Sequence, residues 1–373
     1  MAYLPARRCL AIAAAAAALA RPWQSAATDQ TAAERAQQVA SAAGSWRALD
    51  LPASLARLLD TGRWDGTPVN FRIIVLSFLA DGCVAQARAN PSLRDAASAC
   101  VARCIKLSQK TRPPSLSIAR ADEGLWLSHS NLMLGAYDSL GACQDPALHA
   151  KIARALARRS LREPTFHAPS YANKRYRWAA DQAATLASLA RYDRGHGAHL
   201  AAEPLARWRD TVLAKAMDET LGLPWSEFTG RARGAREPRG SALAWQTRFL
   251  CEVDPALASQ WWHRFKAHYL VDGLAGVGFR EWPPGRDRAA DADSGPIVAG
   301  VGAAATALAI AAARVMGERP LAARLLATAS LVERSAQSGS AMARANDTVL
   351  ASAILYLGRH IAPASCQHAG PGK

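Results

Sequence analysis

Four side chains have the types and settings that proton-transfer chemistry needs: Asp181, His129, Glu281 and Asp293. Asp181 stands between alanines in Trp178-Ala179-Ala180-Asp181-Gln182, at the head of an apolar run. A carboxylate there must find a hydrogen bond or a cation, with Arg177, Arg239 or Arg280 as candidates. Glu281 follows Phe279-Arg280 and precedes Trp282-Pro283-Pro284-Gly285. Aromatic neighbours would raise its pKa toward that of a general acid, and a loop arginine would hold it down. His129 reads either as a satisfied core histidine or as an acid or base paired with Asp181. Asp293-Ser294-Gly295-Pro296 reads as a helix start, with Asp or Ser as cap and proline in the first turn. Its carboxylate is also a supporting or alternative acid. Around these lie groups suited to substrate binding: Trp126, Trp178 and Trp282 for stacking, Arg239 and Arg280 for anions, and Asp291.

The elements that must position these residues show up as a repeat. Apolar helical runs span 67–80, 121–140, 178–192, 239–252, 293–316 and 346–357. Each opens on a polar or glycine-containing cluster and closes on a turn, as at Asp81-Gly82, Gly141, Gly317 and Gly358. Between them lie arginine-striped amphipathic segments at 92–109, 146–161, 201–219, 255–270 and 320–335, with another at 32–48 ahead of the first. A helix apolar all round is buried and one with a charged stripe faces water. Six inner helices alternating with six outer ones, joined by short turns, predict an all-α (α/α)6 toroid; an open solenoid is the alternative. In a toroid the inner N-termini share one mouth, so residues about 55 positions apart in sequence become neighbours.

Composition agrees with helices. Alanine supplies 85 of the 373 residues, and Val and Ile are few. Residues 1–27 read as an export leader, with Arg7-Arg8 ahead of a short apolar core, which predicts a periplasmic or secreted protein. Residues 28–362 read as one toroid domain and 363–373 as a disordered tail. No apolar run past the leader is long and bulky enough to predict a membrane span, so no stable anchor is expected. The net charge of +15 comes from 45 Lys plus Arg against 30 Asp plus Glu, scattered along outer segments without a basic-aromatic module. That argues against a nucleic-acid partner. The six cysteines beyond the leader permit one or two disulfides, and fifteen pairings are open. No nucleotide-binding loop and no metal-ligand spacing is legible, so neither an organic cofactor nor a metal is expected.

Several segments, in order and spacing between about 122 and 329, resemble the linalool dehydratase/isomerase family of exported (α/α)6 enzymes. They are Ser128-His129-Ser130-Asn131-Leu132-Met133, Tyr192-Asp193-Arg194-Gly195-His196-Gly197, Asp254-Pro255-Ala256 with Arg264-Phe265-Lys266, and Asp291-Ala292-Asp293-Ser294-Gly295 with Arg314-Val315-Met316-Gly317. The resemblance implies an inward-facing pocket and places His129 on the family's active-site histidine. Where the family carries its functional cysteines, this chain has Asp181 and, near the second place, Ala172. Arg239-Gly240-Ser241 and 291–296 resemble an uncharacterised bacterial branch of such toroids.

Together these features predict an exported enzyme of lyase or isomerase type, using Asp181 and His129 with Glu281 and Asp293 on a small-molecule or saccharide ligand. A glycoside hydrolase or polysaccharide lyase is the second reading, and a non-catalytic periplasmic binding protein the third.

Overall fold

The computed structural model describes residues 45–142, 145–172, 176–229, 237–273, 276–337, 349–362 and 366. The leader at 1–27, Cys143, the expected start of the sixth inner helix at 346 and most of the 363–373 tail lie outside them. Of the segment 32–48, the part described is a 3-10 turn, Ser45–Ala48.

The inner helices are α2 (Arg72–Ala89), α4 (Gly124–Ser139), α6 (Ala179–His196), α8 (Gly240–Leu250), α10 (Ala303–Val315) and α12 (Val349–His360). The outer ones are α1 (Ala53–Thr61), α3 (Arg94–Ser108), α5 (Pro146–Arg162), α7 (Ala202–Lys215), α9 (Pro255–Tyr269) and α11 (Arg319–Gln337). Local chemistry sets several ends. Asp145 and Asp254 cap α5 and α9, accepting from the N–H groups of Leu148 and Leu257, with proline in each first turn. Gly197 ends α6 in the left-handed conformation at φ 63°.

Each inner helix packs on the next, and α12 packs on α2. That last contact closes the ring, so the chain is an all-α (α/α)6 toroid and not an open solenoid. Gly82, expected to end the first inner helix, lies inside α2. A Cβ there would stand 2.3 Å from the ring of Tyr356 in α12, so glycine is what lets the two ends of the ring meet. The stretch Val69–Ala89 is, by length and composition, apolar enough to cross a membrane, contrary to expectation. In the toroid 78% of its most apolar window is buried against neighbouring helices.

The two faces of the ring differ. Inner helices pass to outer ones through short turns, such as 90–93, 197–201 and 251–254, whereas outer helices return through longer segments such as 163–178, 216–239 and 270–302. Among the described residues these returns carry four two-stranded antiparallel ladders. They pair β1 (Tyr176–Trp178) with β4 (Glu227–Thr229), β2 (Met217–Asp218) with β3 (Leu223–Pro224), β5 (Leu270–Gly273) with β6 (Gly276–Phe279), and β7 (Ile297–Val298) with β8 (Val301–Gly302). The last ladder delays α10 until Ala303. The expected helix start at Asp293 is therefore a loop in which Ser294, at 0% exposure, is clasped by Asp291.

Below the mouth the axis is filled in two layers. His129, Phe78, Trp245 and Phe249 form an aromatic cluster with centroids 5.2–6.3 Å apart. Near it Arg191 donates to Asp81 at 2.6 and 3.1 Å and to Glu252 at 2.6 and 2.9 Å, while Arg248 also binds Asp81. Burial would raise the Asp81 carboxyl, but Arg191 and Arg248 outweigh it and hold it at about 2. This buried ionic knot joins α2, α6 and α8. Disulfides Cys83–Cys100 and Cys251–Cys366 tie α2 to α3 and the end of α8 to the tail, and Cys104 is a buried free thiol.

Candidate active site

The N-terminal turns of all six inner helices line one cavity of about 190 Å³ at the mouth: Ile74 from α2, Leu125 from α4, Asp181 from α6, Ser241 and Trp245 from α8, Leu308 from α10, and Ile354 from α12. Trp178, Tyr171, Ser226, Glu227, Arg239 and Asp293 complete the wall from the return loops. The lining is mainly apolar, with carboxylates and one arginine set into it.

Asp181 occupies the first turn of α6, where the helix dipole favours an anion. Its Oδ2 accepts from the Ser170 hydroxyl at 2.5 Å, and among the described residues it forms no ion pair. Burial lifts its pKa from 3.8 to about 6; Ser170 pulls it down and the charge of Asp293 adds to the rise. A carboxyl so placed exchanges protons near neutral pH. Tyr171 beside it is raised by burial and then by Asp181, so its phenol stays protonated. Trp178 is held by β1–β4 pairing, which sets Glu227 opposite it, and its indole donates to Glu227 Oε2 at 3.0 Å.

Arg239 is the hub of the opposite wall. Its Nε donates to Glu281 Oε1 at 2.7 Å and its Nη2 to Asp291 Oδ1 at 2.7 Å, with Asp293 Oδ2 3.8 Å from Nη1. Trp282 packs beneath it, 4.8 Å from the guanidinium. Glu281 is fully buried and also accepts from the Ser241 hydroxyl and N–H. Burial raises its pKa against the pull of Arg239 and Ser241. The segment Arg239-Gly240-Ser241 thereby has a physical reading. Arginine and serine clasp Glu281, and glycine lets α8 approach the loop, since a Cβ would stand 2.0 Å from the Arg280 carbonyl. Gly124 does the same at the head of α4, with its N–H donating to Pro169 O at 2.7 Å. Asp293 is 60% exposed, and its pKa is raised by burial and by Asp291, with Arg239 opposing.

The structure thus brings Asp181, Asp293, Trp178 and Arg239 to one cavity, with Asp291 holding Arg239 from outside. It does not bring the others. His129 lies under the floor behind Trp245, at 0% exposure, and neither ring nitrogen has a hydrogen-bond partner among the described residues. Burial first, then Arg248, lowers its pKa to about 3, so it stays neutral. Glu281 and Trp282 support Arg239 and do not line the cavity. Arg280 turns to Asp287 and Gly300. Trp126 points into a separate cavity of about 80 Å³ beside α3 and α5, its indole donating to Thr111. Tyr171, Ser170 and Glu227 were not anticipated, since they sit in return loops without periodicity. A Pro-Ser-Tyr turn facing a polar helix start was the one signal available.

No family model and no curated protein matches the chain. Among solved structures, one described as a novel alpha-amylase from Clostridium perfringens overlays with a TM-score of 0.45 at 9% identity, covering 76% of this chain and 87% of that one. At that level of overlap and identity, the likeness carries no argument about fold or activity.

Proposed function

We propose that the chain is an enzyme of lyase or isomerase type acting on a small, largely apolar hydroxylated substrate. Asp181 is its general acid and Asp293 its companion base. The observation that carries this reading is Asp181 itself: a carboxyl at about 6, without an arginine partner among the described residues, on the wall of a mainly apolar cavity. Protonated Asp181 delivers its proton to the hydroxyl oxygen, and the C–O bond breaks to release water. The Asp293 carboxylate takes a proton from the adjacent carbon, whose C–H electron pair forms the new double bond. Proton return from Asp293 to Asp181 through water resets the pair. Arg239, 3.8 Å from Asp293, opposes the rise in its pKa and so favours the carboxylate form, and Tyr171 offers a neutral hydroxyl to orient the substrate. The resemblance to linalool dehydratase/isomerase enzymes is compatible with this chemistry, with an aspartate where those enzymes use cysteine.

Glycoside hydrolysis is the second reading, favoured by two carboxylates and the rings of Trp178 and Trp245 in one cavity. Turnover of short alkenols followed by gas chromatography, beside chromogenic glycosides, separates the two. The first reading expects water loss from an alkenol that Asp181→Asn abolishes. Glycoside cleavage abolished by the same variant would replace it, and alkenol turnover unaffected by Asp181→Asn would end it. Export to an oxidising compartment belongs to the same proposal, and the two disulfides support it.

A further inference from the structure

At the end of the ring opposite the cavity, three helices converge on one point. Asp138 lies in the last turn of α4, His149 in the first turn of α5, and His196 closes α6. Oδ2 of Asp138 is 2.9 Å from His149 Nδ1 and 3.0 Å from His196 Nε2, and the two nitrogens are 3.4 Å apart. We propose that these three atoms bind a divalent first-row transition ion, zinc being its redox-inert form.

Four observations converge on this. An ion held at about 2.0–2.1 Å in tetrahedral geometry keeps its ligands about 3.3 Å from one another, close to the edges of this triangle, and leaves a fourth position for water. Two imidazoles and one carboxylate suit zinc-like ions and not calcium or magnesium. Asp138 has no Arg or Lys partner among the described residues, although the chain holds 45 such residues. The C-terminal ends of α4 and α6 bring two negative dipole ends to the point against one positive N-terminal end from α5, a balance that favours a cation.

The site is also preorganised. Tyr192 stacks on His196 at 4.4 Å and meets His149 edge-on at 4.8 Å, which fixes both rings. Side-chain exposures of 2%, 13% and 15% for His149, Asp138 and His196 leave the site largely shielded from water. Lying away from the cavity, the ion clips three helices together and stabilises the ring by binding the native state alone.

The test uses the untagged full chain, stripped with a chelator and titrated with Zn²⁺ by calorimetry, with metal content measured after gel filtration. One ion per chain and a raised Tm are expected, with binding lost in His149→Ala and His196→Ala and weakened about 10–100-fold in Asp138→Asn. Absence of stoichiometric binding, or equal binding in the folded double variant His149→Ala/His196→Ala, would show that the cluster is a hydrogen-bonded His–Asp–His group and overturn the proposal. Should the variants fail to fold by circular dichroism, Co²⁺ added to the unaltered chain decides. Visible bands of nitrogen-coordinated, low-coordinate cobalt support the site, and their absence refutes it.

Discussion

Arg239 Nε donates to Glu281 Oε1 across 2.7 Å, joining the head of α8 to the loop that leads toward α10. Because Glu281 is fully buried and Arg239 reaches the cavity wall, this pair carries the rigidity of the return loops into the site.

Removing one member leaves the other charge without its main partner. Glu281→Ala is expected to cost about 3 kcal/mol or more in urea denaturation, as buried pairs do when broken. Asp291→Ala, at the 43% exposed side of the same arginine, should cost under about 1 kcal/mol. Equal losses would show that the pair is not the anchor.

Asp181 links activity to stability with opposite signs. Its folded pKa of about 6 exceeds the ordinary 3.8, so the folded state holds the proton more tightly. Stability is therefore highest below about pH 4 for this group and declines as pH rises through 6. Asp181→Asn should remove that decline and gain roughly 1–2 kcal/mol at pH 7, after allowance for solvent screening. The same variant should lose about 100-fold or more in kcat. In the unaltered enzyme kcat should fall as pH rises through about 6, as protonated Asp181 is lost. Thermal melts and rate profiles at several pH values check both.

Gly240 has no room for a methyl group, whereas a Cβ at Gly273 would meet nothing within 4 Å. Gly240→Ala should destabilise by about 1–3 kcal/mol, and Gly273→Ala should stay within about 0.5 kcal/mol. Guanidinium-unfolding midpoints of the two variants make the comparison.

His129 is held neutral, at about 3 against an ordinary 6.5, so the unfolded chain gains its proton first on acidification. Stability from this group is present above about pH 6.5 and is lost as pH falls toward 3. His129→Leu should flatten that part of the acid-unfolding curve and keep kcat within a few-fold. A collapse of kcat with folding intact would place the imidazole in the reaction after all.

The ring was legible because its signal is local and repeated. A stripe of apolar residues at helical spacing, recurring about every 55 positions, needs no tertiary knowledge to read. Asp181 was legible for a related reason, as a carboxylate at an apolar helix head must be answered by something. Glu281 and Asp293 both read as candidate acids, one in an aromatic loop and one at a helix start, yet Glu281 is sealed under Arg239 and Asp293 sits in a loop open at the cavity. Asp81 looked like a turn residue and is the centre of a buried ionic knot, because its arginines come from helices over 100 residues away.

By itself the sequence determined six inner helices, the five outer helices that follow them, and their order, since these follow from periodicity and from the direction each helix must run. The first outer helix, Ala53–Thr61, lies where no amphipathic segment was read. Tertiary structure alone decided that α12 meets α2, that His129 is sealed behind Trp245, and that Asp138, His149 and His196 share one point. Each of these depends on side chains distant in sequence approaching within a few ångströms, and no local spacing encodes such distances.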